Sequence, residues 1–280
     1  MIAVVLAVLG ALAYGVSDFI GGLASRRTSV WPVAILSCTG SMVGALVLAA
    51  IVPGDPQASQ LEWGALAGIG AGGGTAFLYR GLAGGRMGVV APVSGVGATV
   101  IPVLIGVWSG ERPSAVVWLG IIAALPGIWL VSREETGPLT EPAEGGSGLL
   151  DGLLAGLGFG VLFAALGQVP DGAGYWPLAA AEAASVVTVV VACLALRGEP
   201  LPHAGEQWWG LVSGLLAAAA GVCFLVATHH GLLSVSAVLV SLYPAFTVLL
   251  AALVLRERIH RVQAAGLALC SVAIVLVAAG

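Results

Sequence analysis

The sequence predicts an all-α integral membrane protein in which ten transmembrane helices form two inverted five-helix repeats around a central cavity. Three observations predict this fold class: an apolar composition, ten apolar runs of spanning length, and motifs that recur at a near-constant spacing. Hydrophobic residues make up 59% of the 280 residues and charged residues 9%, with a mean hydropathy of +1.06. Soluble domains are about 45–50% apolar and about 25% charged, so the composition excludes an ordinary soluble protein.

Ten apolar runs follow one another along the chain. About 20 apolar residues cross a hydrocarbon core about 30 Å thick as a helix. In chain order the predicted spans are Ile2 to Leu23, Trp31 to Val52, Trp63 to Ala83, Gly88 to Trp108, Ser114 to Val131, Leu149 to Gly167, Trp176 to Leu196, Trp208 to His229, Ser234 to Leu255 and Val262 to Ala279. Short connectors rich in Pro and Gly separate most of them.

The two halves of the chain repeat the same motifs. The matched pairs, at offsets of 145 or 146 residues, are Tyr14-Gly15 with Phe159-Gly160, Trp31-Pro32 with Trp176-Pro177, Trp63-Gly64 with Trp209-Gly210, Gly110-Glu111-Arg112 with Arg256-Glu257-Arg258, and Gly120 with Gly266. Duplication explains so constant an offset better than chance. Because each copy holds five spans, an odd number, the second copy must enter the bilayer facing the opposite way. Many secondary transporters are built from such inverted repeats.

The duplication also predicts the domain organisation. We expect the first repeat to cover residues 1–132 and the second to cover residues 149–280. Residues 133–148 are rich in Glu, Pro, Gly and Thr, a composition that favours a solvated linker over a folded domain.

The arginines predict the orientation in the membrane. We call the side of the connectors that follow odd-numbered spans the arginine-rich face, and the opposite side the arginine-poor face. The connectors of the arginine-rich face hold Arg26, Arg27, Arg86, Arg133, Arg197, Arg256, Arg258 and Arg261, whereas the others hold only Arg112. By the positive-inside rule the arginine-rich face is cytoplasmic, which places both chain termini outside.

The segment Ala11 to Arg27, ALAYGVSDFIGGLASRR, resembles the first span of EamA-type members of the drug/metabolite transporter (DMT) superfamily. Each repeat also ends similarly, with Glu111 or Glu257 after an apolar helix. The likeness covers nearly the whole chain and implies ten helices and small-molecule export. It also implies that the first four helices of each repeat surround the cavity, while the fifth and tenth pack outside. The chain has no lysine, so a mechanism using an intramembrane lysine does not apply.

Two carboxylates fall within predicted spans. An ionised side chain near the bilayer centre costs about 2.5 to 3.5 kcal/mol on insertion scales, so such residues normally face a cavity or a partner. Glu182 is a candidate to bind a cationic or amino group of the cargo, or to carry a proton. The alternative is a hydrogen-bonded residue that bridges helices. Asp18 is a candidate substrate contact or inner gate, with interfacial solvation near Arg26 and Arg27 as the alternative.

Other polar groups lie at the ends of spans. Tyr79 and Arg80 end the third span, where Arg80 is a candidate ligand for a substrate carboxylate; the alternative is snorkelling to the interface. His229 and His230 end the eighth span and are candidate gating residues. They do not predict a metal site, because adjacent helical residues point about 100° apart and no nearby Cys, Asp or Glu completes a ligand set. No metal or other cofactor is predicted.

Aromatic side chains and helix interruptions give the remaining candidates. Tyr14 and Phe159 occupy equivalent mid-span positions, where they line the cavity or simply pack between helices. Ser241 and Tyr243 precede Pro244, which lacks the N–H that a helical carbonyl needs. Interrupted helices of this kind form binding sites in transporters, although a kink used for packing is an equal alternative. Pro92 and Pro102 raise the same possibility in the fourth span.

These features together predict a secondary transporter and not an enzyme, since motifs such as H-E-x-x-H and G-x-S-x-G do not occur. We expect export of small organic metabolites, amino acids or related amphipathic compounds, across a bacterial inner membrane by alternating access. Drug or organic-cation efflux and metabolite uptake are the alternatives on the same scaffold. The predicted partners are a small-molecule substrate, the lipid bilayer and protons as a candidate coupling ion, without nucleic acid. The predicted state is a monomer or weak homodimer.

Overall fold

The computed structural model describes residues 1–25, 28–83, 87–132 and 148–280, except for the side chains of residues 79, 82, 83, 87 and 88. Regular secondary structure in these ranges is helical throughout. The helices are α1 (Ile2–Ser25), α2 (Val30–Ile51), α3 (Ala58–Ala83), α4 (Met87–Trp108), α5 (Ala115–Ser132), α6 (Leu149–Leu166), α7 (Trp176–Ala195), α8 (Trp209–His230), α9 (Leu233–Val240), α10 (Tyr243–Val254) and α11 (Arg261–Ala279), with a 3₁₀ turn at Gly205–Trp208. The predicted linker, apart from Gly148, lies outside the described residues, as do Arg26, Arg27, Arg86 and Arg133.

Nine segments within the described residues are long and apolar enough to cross a membrane, with α9 and α10 counted together as one. The helix α3 is not among them, although it has 26 residues. Seven of those residues are glycine, which lowers its hydropathy. The prediction of an all-α, multi-pass membrane protein is therefore confirmed, at nine or ten apolar helices in the described part of the chain.

Two helices differ from the predicted spans. The helix α3 begins five residues before Trp63, and just ahead of it the Gln57 amide donates to the Gln60 side-chain oxygen at 2.9 Å. The predicted ninth span is interrupted at Ser241 and Leu242, so that α9 and α10 are separate helices. Pro244 lies just beyond this break, and its ring nitrogen cannot donate to the Val240 carbonyl.

The prolines of the fourth span have a different outcome. The helix α4 runs without a break through Pro92 and Pro102. Near the first of these, the Ser94 hydroxyl donates to the Ala91 carbonyl at 2.9 Å. Among the described spans with an interior proline, only the ninth is broken near its proline.

The large contacts between helices of the two halves are symmetric: exchanging each helix for its equivalent in the other half gives the same set of contacts. The helix α3 packs against α6 and α7, and α8 packs against α1 and α2. The helix α4 packs against α6, while α9 and α10 pack against α1. The remaining large contacts, α2 with α7 and α5 with α11, each map onto themselves. Each half therefore wraps helices of the other, and neither has a separate core.

Equivalent glycines of the two halves make close approaches between these helices. A Cβ atom at any of them would overlap atoms of the facing helix, most often backbone atoms. The reciprocal contacts are Gly64 with Pro177 and Gly210 with Val33, Gly68 with Ala181 and Gly214 with Ser37, and Gly120 with Val277 and Gly266 with Val131. Small residues allow such close packing in lipid, where burial of apolar surface does not drive helices together.

Both chain ends lie at the arginine-poor face. Gly231, in the connector between α8 and α9, packs against Ala3. Gly280 packs against Ser114, in the connector between α4 and α5. The two termini are thus anchored to connectors of the same face.

Candidate functional site

A cavity of about 730 Å³ lies between the two halves. The first four spans of each half contribute to its wall through residues of α1, α2, α3 and α4 and of α6, α7, α8 and α10. It extends to Ser25, Ser132, Glu257 and Arg258, which lie at helix ends and in a connector of the arginine-rich face. None of the connectors of the arginine-poor face, all of which lie within the described residues, contributes to the lining. The described lining thus extends toward the arginine-rich face.

Aromatic rings form one wall of the cavity. The predicted residues Tyr14, Phe159 and Tyr243 all line it. The Tyr14 ring lies 6.2 Å from the Tyr243 ring and 6.3 Å from the Phe163 ring, between centroids. Phe163, which the sequence did not single out, also lines the cavity, and its ring is tilted against the fully buried Phe224 at 4.9 Å between centroids. The aromatic wall joins α1, α6, α8 and α10.

Both predicted carboxylates line the same cavity. Asp18 on α1 is exposed to it, and Glu182 on α7 is half-buried. Neither forms an ion pair with a residue that the structure describes. Their side chains are therefore available to a ligand that enters between the halves.

Small polar side chains surround Glu182. Ser41 lies beside the Glu182 carboxyl, is 2% exposed, and has no hydrogen-bond partner of normal geometry among the described residues. Ser185, one turn from Glu182, lies 3.4 Å from the Cys38 sulfur. All of them line the cavity. Sequence analysis did not single out Ser41 or Cys38, because an isolated serine or cysteine in an apolar span gives no signal of which face it occupies.

A second polar cluster ties α1 to α8 nearer the arginine-rich face. The Ser17 hydroxyl donates to the Ser213 carbonyl at 2.8 Å, and the Ser213 hydroxyl donates to the Ser17 carbonyl at 3.0 Å. Ser37 on α2 lies 3.3 Å from the Ser213 hydroxyl. These three hydroxyls are satisfied by one another, so we assign them to helix packing beside the cavity.

Arg80 lies outside the cavity lining. Its guanidinium Nη2 is 2.5 Å and its Nε 2.7 Å from Oδ1 of Asp151, at the start of α6. The guanidinium also lies over the Phe77 ring, 4.8 Å from the centroid. The side chain of Tyr79 is outside the described part of the structure. Arg80 thus connects the ends of α3 and α6 at the arginine-rich face.

We expect Arg80→Ala to lower the stability of the fold, because it would leave the buried Asp151 carboxylate without its partner. Arg80 is itself 41% exposed, so the expected loss is at the moderate level of about 1–3 kcal/mol. Thermal unfolding of the detergent-purified protein would measure it. A double-mutant cycle with Asp151→Asn is the control, and a coupling free energy near zero would contradict the interaction.

The remaining candidates have different surroundings. Ser241 is fully buried beside the helix break, its hydroxyl has no partner among the described residues, and it does not line the cavity. His230 is exposed and contacts only the Val226 carbonyl of its own helix, at 2.9 Å. His229 is half-buried and reaches a different part of the chain, the connector between α6 and α7.

His229 joins helix α8 to a connector of the arginine-poor face. Its Nδ1 lies 2.6 Å from an Asp171 carboxylate oxygen, and its Nε2 lies 2.8 Å from the Val169 carbonyl. An imidazolium has an N–H on each nitrogen and satisfies both acceptors at once. From the connector between α2 and α3, the Asp55 amide donates to the Gly172 carbonyl of the same α6–α7 connector at 3.3 Å. These contacts bring two connectors and the end of α8 together at the arginine-poor face.

Glu111 makes the most direct connection between the halves at this face. Its carboxylate accepts hydrogen bonds from the backbone amides of Leu233 and Ser234, the latter at 3.0 Å, at the start of α9. The first amides of a helix have no partner within the helix, and a carboxylate there is favoured by the helix dipole. Sequence analysis noted Glu111 only as part of the repeated pattern with Glu257. That repetition was the available signal.

Comparisons with known proteins agree with the duplicated architecture. A sequence model of the EamA-like transporter family matches residues 1–133 and again residues 146–279. A solved structure titled "Crystal structure of protein" is similar over 99% of this chain and 98% of that chain, with a TM-score of 0.71 and 17% identity. At that identity the likeness concerns the fold alone. No curated protein was found to match the chain.

Proposed function

This chain belongs to the EamA-like transporter family, as the sequence motifs predicted, and on that premise we propose that it exports small organic metabolites by alternating access. The family consists of membrane transporters, which are generally not enzymes. The proposed cargo is an amino acid or a related amphipathic compound, and the proposed location is the bacterial inner membrane with both termini outside. The observation that carries the proposal is the cavity of about 730 Å³ between the two halves, whose described lining extends toward one face.

Two inverted five-helix repeats are part of this proposal. The exchange symmetry of the helix contacts supports it, because α3 with α7 and α8 with α2 are the same contact made by opposite halves. The position of both chain ends beside connectors of the arginine-poor face supports it as well. A fluorescent or phosphatase fusion at Gly280 tests the orientation, and cytoplasmic fluorescence would overturn it.

Alternating access requires one face to be closed while the other is open. The contacts of Glu111 with α9 and of His229 with Asp171 support a closed arginine-poor face. The lining that reaches Ser25 and Arg258 supports an open arginine-rich face. We propose that the two halves rock about the cavity, so that the contacts of the closed face break as the open face closes.

The proposed substrate-binding residues are the sequence-predicted candidates that line the cavity. They are Tyr14, Asp18, Phe159, Glu182 and Tyr243. His229 is the proposed gating histidine. Roles in transport for Tyr79, Arg80, Ser241 and His230 stay sequence-based predictions, and Arg80 has the structural partner described above.

The proposal is tested with the purified chain in proteoliposomes that contain a panel of amino acids and amines, with and without a pH gradient. We expect gradient-dependent movement of at least one compound, and at least a tenfold loss of it in Glu182→Gln, which cannot exchange a proton. Glu199→Gln is the matched control, because Glu199 is exposed and outside the cavity lining. Unchanged gradient-dependent transport by Glu182→Gln would remove proton coupling through this residue.

A further inference from the structure

We propose that the cargo is an organic cation with an apolar body and that Glu182 binds its charged nitrogen. Asp18 contacts the same nitrogen earlier on the path through the cavity. The inference rests on the proposed function, in which the cavity is the transport path. It changes the expected cargo from a zwitterion to a compound with positive charge alone. The side chains that line the cavity support this change of cargo.

Carboxylates dominate the charge of the described part of the cavity lining. Among the described lining residues the charged side chains are Asp18, Glu182, Glu257 and Arg258. The only base of this set, Arg258, lies beside Glu257 in the connector between α10 and α11, at the mouth. No basic side chain in the described lining reaches the interior near Glu182. A cargo carboxylate would therefore meet like charge there, whereas an ammonium group would meet opposite charge.

The surroundings of Glu182 offer acceptors to such a nitrogen. The buried Ser41 oxygen lies beside the carboxyl and has no hydrogen-bond partner of normal geometry among the described residues. A primary ammonium has three N–H donors and no acceptor, so one nitrogen can donate to a Glu182 oxygen and to Ser41 together. Binding would give the Ser41 oxygen a hydrogen bond of normal geometry.

The aromatic wall suits the rest of the cargo. Tyr14 is twelve residues from the start of α1, at a depth between those of Glu182 and Asp18. Its ring lies 6.3 Å from that of Phe163 and 6.2 Å from that of Tyr243, between centroids. Aromatic faces attract cations and pack against apolar groups. The aromatic wall can therefore attract the charged nitrogen while the cargo moves along the cavity. It can also pack against the apolar body of the cargo once the nitrogen is bound at Glu182.

The repeat shows that helix packing does not require these acids. At the offset of 145 residues that relates the first spans of the two copies, Asp18 corresponds to Phe163 and Glu182 corresponds to Ser37. The glycines that hold the helices together recur in both copies, but neither acid does. A carboxylate inside a span is unfavourable, and equivalent helices fold without one. A role toward a ligand explains why each acid is present in only one copy.

The two acids lie at different depths. Glu182 is six residues from the start of α7 at the arginine-poor end, about 9 Å along the helix, whereas Asp18 is sixteen residues from the start of α1 at the same end, about 24 Å along. Asp18 is accordingly nearer the mouth. A cation entering from the arginine-rich face meets Asp18 first and Glu182 second.

A matched pair of ligands tests the inference on the full chain in detergent or nanodiscs. Phenethylamine and phenylalanine share the ring and the amine and differ by one carboxylate. Calorimetric titration at pH 7 should show at least tenfold tighter binding of phenethylamine. Glu182→Gln should weaken that binding at least tenfold. Asp18→Asn should slow association measured by stopped flow while changing Kd by only about threefold, and Glu199→Gln should change neither.

The outcomes separate the inference from the proposed function. Equal or tighter binding of phenylalanine, or amine binding that Glu182→Gln leaves unchanged, would overturn the cation site. If the same preparation still exchanges labelled phenylalanine across proteoliposomes, the transport function stands without it. If the folded protein exchanges no compound of the panel, the proposed function falls and the inference falls with it. Thermal unfolding of each variant confirms that it is folded.

Discussion

Gly214→Ala should severely destabilise the protein, although it adds only one methyl group. A Cβ atom at this position of α8 would lie 2.7 Å from the backbone nitrogen of Ser41 and would overlap the Ser37 carbonyl on α2. These are backbone atoms of a packed helix, which cannot move aside as the end of a flexible side chain can. Overpacking usually costs about 1–3 kcal/mol, and we expect a loss at the upper end, about 3 kcal/mol.

The repeat supplies a second test of the same idea, and the chain supplies a matched control. Gly68 on α3 makes the equivalent contact with Ala181 on α7, so Gly68→Ala should be similarly damaging. Gly73, also in α3, has no atom of a packed neighbour within 4 Å of the position of its missing Cβ. Because alanine favours a helix over glycine by up to about 1 kcal/mol, Gly73→Ala should be neutral or stabilising.

Apparent melting temperatures in detergent, followed by fluorescence-detected size exclusion, would measure all three variants. We expect Gly214→Ala and Gly68→Ala to melt well below the original protein or to elute as aggregates, and Gly73→Ala to melt at or above it. A Gly214→Ala protein as stable as the original would contradict the close packing of α2 and α8. Three similar melting temperatures would show that these glycines do not determine the helix spacing.

The glycine contacts show what the sequence could predict. The pairs Trp63-Gly64 with Trp209-Gly210 and Gly120 with Gly266 revealed the duplication, and the structure places each pair at equivalent crossings. A backbone that must be approached closely permits only glycine, so the constraint is visible in a single residue. Span positions were predictable for a different reason, because the thickness of the membrane sets the length of an apolar span.

The cavity residues were predictable only in part. Glu182 and Asp18 were conspicuous because a carboxylate in an apolar span is rare. Ser41 was not, because a serine is tolerated on any face of a helix. Arg80 was a reasonable candidate for a substrate carboxylate, but its partner Asp151 is 71 residues away in the chain. Which charges meet depends on how the two halves are assembled, and the local pattern does not contain that information.

The sequence predicted the helix break at Pro244 only as one of two equal possibilities, the other being a kink used for packing. Pro244 accompanies an interruption, whereas α4 continues through Pro92 and Pro102. A proline removes one hydrogen bond wherever it stands, so the sequence alone makes all three positions equal. The break lies where Ser241 is fully buried and Tyr243 turns to the cavity, which makes the start of α10 part of the site.

Glu111→Ala should open the arginine-poor face of the protein. The carboxylate of Glu111 accepts two backbone hydrogen bonds from the start of α9, and each hydrogen bond to a charged group contributes about 1.5–3 kcal/mol. Every 1.4 kcal/mol changes an equilibrium about tenfold. Loss of both bonds should therefore shift the population of the closed face by tenfold or more, provided that the open state forms other contacts to a similar extent.

Cys38 reports the change, because it lines the cavity and the other three cysteines do not. A membrane-impermeant thiol reagent applied to intact cells and to inverted vesicles, with Cys38 modification read by mass spectrometry, measures access from each face. We expect the original protein to be modified from one side only. In Glu111→Ala, modification from the other side should rise at least tenfold. Asp171→Asn, which weakens the His229 contact, should give a smaller rise in the same direction.

Glu62→Ala is the matched control, since Glu62 is an exposed acid near the arginine-poor end of α3 whose side chain forms no hydrogen bond or ion pair with the described part of the chain. It should leave Cys38 modification unchanged from both sides. A folded Glu111→Ala protein with the original sidedness would show that the carboxylate caps α9 without holding the face closed.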